Sequence, residues 1–164
     1  MGYTQYYYAA SKWRPTKRQW KQLLIDTDAI IVASAVGVER IYKYDPDGDV
    51  IIWLNGFGDD LGHETFILQR KSDDNEFCKT DRKPYDVVVA AILIIAHTMG
   101  LAVSSDGWLE EEEWADALRL ARKATKRKGL KLPAGLESRA AAIKAREKAE
   151  AKRLRAEANQ EALV

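Results

Sequence analysis

The sequence predicts an α+β domain. A mainly antiparallel sheet of about five strands packs against a long N-terminal helix, a buried central helix and a third amphipathic helix, and a charged helical tail follows. Three patterns lead to this expectation. Residues 87–96 are apolar on every helical face, which marks a helix enclosed by other elements. Short β-prone runs alternate with turn signals, most clearly where Asp45-Pro46-Asp47-Gly48 separates residues 39–44 from 49–55. From residue 135 onward the composition shifts to Ala, Glu, Lys and Arg, strong helix formers without a sustained coiled-coil seam.

The elements follow in order. Residues 3–8 are aromatic and read as a first strand. Arg14-Pro15 turns a corner, and Thr16 precedes a helix over 17–35. There Trp20, Leu23, Leu24, Thr27, Ile30 and Ile31 recur at helical spacing. The hairpin comes next. Residues 56–62 read as a glycine-rich acidic loop, and 64–69 as the third strand of the meander. Residues 72–76 form a polar turn and 77–80 a short extended piece. Pro84 suits the first position of the central helix, Asp86 opposes its dipole, and Gly100 ends it. Residues 101–104 form a short strand, and Ser105-Asp106-Gly107 a turn. Glu110–Glu113 open the third helix and Arg122-Lys123 help close it, with Trp114, Ala117, Leu118 and Ala121 as its buried stripe. Pro133 breaks the chain, so 1–129 read as the compact domain and 130–164 as a tail outside its core.

Composition narrows the function classes. The chain has 164 residues, 46% hydrophobic, with 26 basic and 25 acidic side chains and a net charge of +1. That balance argues against a protein that coats nucleic acid by bulk charge, so nucleic acid is not expected as the main partner. One cysteine, Cys78, forbids an internal disulfide and points to a reducing compartment. With two histidines beside it, no structural zinc site is expected, and no motif calls for a cofactor. The longest apolar run is about half of a membrane span, and the first residues lack the pattern of a signal peptide. A cytoplasmic protein without a membrane partner is expected, and self-association is left open.

Two stretches hold the candidate chemistry. His63-Glu64 follows the glycine loop; His63 suits general acid–base work, with Glu64 orienting it. On a strand the two side chains take opposite faces, which makes them awkward partners. Cys78-Lys79-Thr80-Asp81-Arg82-Lys83 gathers cations before a helix start, where backbone donors, dipole and side chains together favour phosphate or carboxylate. Lys79, Thr80, Arg82, Lys83 and Tyr85 are the ligand candidates there, joined by Asn55 and Thr65 from the loop and by Asp106 and Trp108 at a pocket rim. Cys78 reads as a small buried hydrophobe rather than a nucleophile. Tyr6-Tyr7-Tyr8 read as strand packing before base stacking.

Several blocks carry a resemblance. They are Met1-Gly2-Tyr3-Thr4, Asn55-Gly56, Gly62-His63-Glu64-Thr65-Phe66, Phe77-Cys78-Lys79-Thr80, Lys83-Pro84-Tyr85-Asp86 and Ser105-Asp106-Gly107-Trp108. As a set, over residues 1 to about 125, they resemble a family of small uncharacterised phage and prophage proteins. Members of that family carry His and Trp after the opening Gly-Tyr-Thr, where this chain has Gln5 and Tyr6. The resemblance implies a phage context and supplies no reaction.

Three functions are compatible with these residues. The first is a phage-encoded cytoplasmic protein binding a small anionic, nucleotide-like ligand, for instance a signal of host defence. Lys79, Arg82 and Lys83 would hold phosphate, and Tyr85 or Trp108 would stack. The second is an enzyme on a phosphorylated or nucleotide substrate with His63 as acid/base. The third is a module that binds a host or phage protein through residues 130–164.

Overall fold

The computed structural model describes residues 3–8, 13–108, 112–136 and 138–161. The fold is α+β, as the sequence predicts, with eleven elements among the described residues. In chain order they are β1 (Thr4–Tyr8), α1 (Lys17–Ser34), β2 (Val38–Tyr44), β3 (Val50–Gly56), α2 (Gly58–Leu61), β4 (Phe66–Leu68), β5 (Asn75–Lys79), α3 (Asp86–His97), β6 (Ala102–Ser105), α4 (Glu112–Thr125) and α5 (Arg139–Glu161).

The single sheet of about five strands is replaced by two antiparallel sheets of three, ordered β5-β1-β6 and β2-β3-β4. Alternation along a strand fixes which face is buried and leaves the neighbour open. Here β1 takes neighbours from far along the chain: Thr4 lies opposite Lys79, and Gln5 lies between Cys78 and Ser105. The hairpin and β4 stay together as the second sheet, with Ile41, Trp53 and Ile67 in one row.

Local chemistry explains the helix ends. Thr16 caps α1 through a reciprocal box: its hydroxyl accepts from the Gln19 N–H at 3.2 Å, and the Gln19 side chain accepts from the Thr16 N–H at 2.9 Å. Pro84 falls in a turn before α3, whose N-cap is Tyr85. In α3, Val88 to Ala96 are all buried, as their all-round apolarity requires. Each large aliphatic side chain there contributes about 1.5–3 kcal/mol relative to exposure.

Around α3 the core gathers Leu23 and Ile30 from α1, Ile52 and Leu54 from β3, Phe66 and Leu68 from β4, Tyr7 from β1, and Trp114, Ala117 and Ala121 from α4. Leu130 and Leu136 are buried in the same cluster, while the described α5 side chains beyond Ala142 are exposed. The two sheets meet where Phe66 packs edge-on against Tyr7, ring centroids 5.1 Å apart. The Tyr7 hydroxyl donates to the Ile67 carbonyl at 2.8 Å beside that contact. No helix among the described residues is long and apolar enough to cross a membrane.

Candidate functional site

The cation-rich segment after β5 makes a tight turn. Asp81 and Arg82 both adopt left-handed backbone, φ 51° and 57°, and the Lys83 N–H closes on the Thr80 carbonyl at 3.0 Å. Two successive non-glycine residues in that region cost on the order of 1 kcal/mol each or more. The turn folds Thr80 back onto the start of α3. There the Thr80 hydroxyl donates to the Asp86 carboxylate at 2.5 Å, and the Gln5 amide donates to the same oxygen at 2.9 Å. All three side chains are buried. Burial raises the Asp86 carboxyl above its ordinary 3.8, against the pull of its two donors.

The sign of the pH effect follows. A carboxyl raised on folding holds its proton more tightly in the folded state. Its stabilisation is complete below 3.8 and is lost as pH climbs through the higher folded value. Asp86→Asn keeps an acceptor for both donors and never ionises. It should therefore gain melting temperature relative to the parent as pH goes from acid to neutral. Thermal melts across that range check it, and a difference that stays flat with pH would remove Asp86 as the source.

The neighbours are fastened in the same way. Tyr85 is fully buried and donates to the Glu64 carbonyl at 2.6 Å. The Cys78 thiol contacts the same carbonyl at 3.4 Å, and burial pushes it up to about 12. It is therefore protonated at neutral pH and a poor nucleophile.

The cations of the turn already have carboxylate or carbonyl partners. Arg82 pairs with Glu113 and lies over the Tyr3 ring, 4.4 Å from its centroid. The Lys83 ammonium donates to the Asp60 carbonyl at 3.1 Å. The cleft beside them holds about 180 Å³ and is lined by Arg82, Lys83, Asp86, Glu113 and Asp116, among others. Glu113 pairs with Arg82 and Asp116 with Arg119, so an incoming anion would have to compete with carboxylates already in place. Glu113 and Asp116 come from α4, far along the chain. No cluster of His, Cys, Asp and Glu that could hold a metal ion occurs among the described residues.

Asn55 organises the glycine loop. Its side-chain oxygen accepts from the Gly56 and His63 N–H groups at 2.8 and 3.1 Å, and its amide donates to the His63 carbonyl at 3.0 Å. The amide also reaches the Thr65 hydroxyl at 3.5 Å. Gly56 is required here, because a Cβ would stand 1.9 Å from the Leu61 carbonyl oxygen. The expected strand over 64–69 covers only Phe66–Leu68. The Glu64 N–H turns to the Lys79 carbonyl at 3.3 Å, and its carboxylate takes the Lys79 N–H at 2.8 Å. Glu64 thus bridges the two sheets before β4 begins. The His63 ring is exposed and makes no hydrogen bond among the described residues.

A different group meets on the outer face of the β5-β1-β6 sheet. Gln5 and Tyr7 point inward, so Tyr6 points outward, directly between Phe77 and Ser104. Lys79 alternates with buried Cys78 and shares that outer face. After β6 the chain turns, with the Asp106 N–H on the Thr4 carbonyl at 3.0 Å and the Gly107 N–H on the Ser105 hydroxyl at 3.0 Å. Gly135 approaches so closely that a Cβ would lie 2.2 Å from the Val103 carbonyl oxygen. The His97 Nδ1 donates to the Leu101 carbonyl at 2.7 Å, leaving Nε2 to accept the Ala134 N–H at 3.5 Å.

The result is a cleft of about 350 Å³ lined by Tyr6, Ser104, Ser105, Asp106, Gly107, Trp108 and Gly135. Across Trp108 lies a second groove of about 710 Å³, lined by Leu136, Ser138, Ala141, Ala142, Ala145 and Arg146. Neither the Asp106 carboxylate nor the Arg146 guanidinium has a hydrogen-bond or ion-pair partner among the described residues.

The candidates therefore separate. Asp106 and Trp108 converge on one cleft, and Lys79 shares its sheet face. Arg82 and Lys83 flank the start of α3. Thr80 and Tyr85 lie in the interior. Asn55 near the end of β3 holds His63 and Thr65 in the segment that leads into β4, with Glu64 reaching across to Lys79 of β5. Gly135 and Arg146 have no sequence signal of their own; the close approach of Gly135 to Val103 of β6 brings that segment in. No protein-family model, no curated protein and no solved structure matches the chain.

Proposed function

We propose that the chain binds a small nucleotide-like anion. The base stacks in the cleft between Tyr6 and Trp108, and the phosphate extends past Trp108 toward Arg146 and Ser138. The observation that carries the reading is the pair of adjoining clefts sharing Trp108, one with an acid and hydroxyls, the other with an arginine. An aromatic face stacks on any base, a carboxylate accepts N–H donors of a base edge, and a guanidinium pairs with phosphate. Asp106 favours a base that presents a ring N–H beside an amino group, the edge of a guanine. In a phage-encoded chain, such binding would sequester a nucleotide signal of host defence.

Calorimetry and thermal melts against a panel of nucleoside mono- and diphosphates test this. A guanine nucleotide is expected to raise the melting temperature in proportion to its occupancy. Trp108→Ala should cost about 1–3 kcal/mol of binding, roughly 5- to 150-fold. If no nucleotide shifts the melt, or if Trp108→Ala binds as tightly as the parent, the proposal fails.

A further inference from the structure

The second sheet ends in an edge strand whose sequence is complementary to itself. Among the described residues, β2 pairs with β3 on one side only. The ladder is bounded by the Phe57 N–H on the Gly37 carbonyl and the Asp45 N–H on the Asp49 carbonyl, each at 2.9 Å. In an antiparallel pair the inward-bonding residues alternate. Glu39, Ile41 and Lys43 therefore bond toward β3, while Val38, Arg40, Tyr42 and Tyr44 turn their N–H and C=O groups to the open edge. Three large hydrophobic side chains of that edge strand are open to solvent: Ile41 is 41% exposed, Tyr42 61% and Tyr44 67%. An edge of this kind is a template for another strand.

We propose that β2 pairs antiparallel with β2 of a second copy, about a two-fold axis at Ile41, joining two three-stranded sheets into one of six. The choice of copy and register rests on charge. With the axis at Ile41, Glu39 lies opposite Lys43 of the other chain, twice, and the two Ile41 side chains meet between these pairs. Arg40 lies opposite Tyr42, a contact of the kind already made within one chain, where the guanidinium sits 4.8 Å from the ring centroid. Val38 lies opposite Tyr44.

The hydrogen-bonded pairs in this register are Arg40 with Tyr42 and Val38 with Tyr44, the residues whose backbone groups face outward. Shifting the axis to Arg40 sets Glu39 against Ile41 and Lys43 against Gly37, so neither charge meets an opposite, and shifting it to Tyr42 sets Glu39 against Asp45. Like charges directly opposed are destabilising. Charges on an edge strand ordinarily block pairing; here Glu39 and Lys43 meet their opposites across the axis, and Arg40 is already paired with Asp28 of α1. Such an interface is isologous and closes as a dimer.

Light scattering coupled to gel filtration, over a range of protein concentrations, tests the inference. The parent chain is expected to be dimeric. Glu39→Lys opposes lysine to lysine, and Lys43→Glu opposes glutamate to glutamate. Each variant alone should weaken the dimer tenfold or more with circular dichroism near the parent's. Glu39→Lys should keep the parent's melting temperature, whereas Lys43→Glu gives up the ammonium's place 3.4 Å from the Trp53 ring centroid and melts slightly lower. Mixed together, the two variants restore both opposite-charge pairs and should form a heterodimer. A monomeric parent up to the millimolar range overturns the proposal. So does a dimer that either single variant leaves intact, or a mixture that stays monomeric; a surface meant for an unrelated partner would give the first of these results.

Discussion

Phe66→Ala is expected to remove about 3–5 kcal/mol of stability, the range for emptying a buried aromatic site. Phe66 is fully buried in β4, in a strand of only three residues with little room to collapse into the void. It also makes the edge-on contact with Tyr7, interplanar angle 62°, that joins the two sheets. Such pairs contribute about 0.5–1.5 kcal/mol beyond area. Phe66→Leu should lose far less, because most of the volume remains. Urea melts read the difference as a lower midpoint at unchanged slope. A loss below about 1 kcal/mol for the alanine variant would mean the sheets do not depend on this contact.

Arg70→Ala should cost about 3 kcal/mol, the lower end for breaking a buried ion pair. The Arg70 Nε lies 2.5 Å from the Asp49 carboxylate, and a second guanidinium nitrogen donates to the Pro15 carbonyl at 3.2 Å. The side chains are 9% and 13% exposed, so water compensates little when one partner goes. The pair ties the β2–β3 hairpin and the segment just after β4 to the entrance of α1. Arg70→Ala together with Asp49→Ala should lose less than the sum of the two single changes, because the stranded charge is gone. Strict additivity in that double-mutant cycle would dismiss the coupling. Arg70→Lys should fall between, since one ammonium replaces a fork that reaches two acceptors.

What the sequence reveals depends on how local the cause is. The α1 cap, the Asp45–Gly48 turn and the enclosed α3 are written in neighbouring residues, and each is legible. The division into two sheets is not, because the partners of β1 are set by contacts that span most of the chain. The site divides along the same line. Lys79, Arg82 and Lys83 are visible as cations, but Glu113, which pairs with Arg82, arrives from α4. Thr80 and Tyr85 are polar enough to suggest a ligand, and instead serve buried hydrogen bonds to Asp86 and Glu64. Asp106 and Trp108 were readable as a rim. Tyr6 follows from strand alternation once Gln5 is known to be buried, and a buried glutamine in place of an exposed one is a packing outcome that no local pattern announces.

Cys78 gives the fold a clock. It is the sole cysteine, it is fully buried, and it sits on β5 opposite Gln5 of β1. A thiol reagent in solvent reaches its sulfur only when β5 leaves β1 or the domain opens. Labelling kinetics therefore count those openings one molecule at a time, with no probe added to the chain. A ligand lying across β1 and β6 would slow the count without touching the sulfur, because it must be released before the central strand can part from its neighbours.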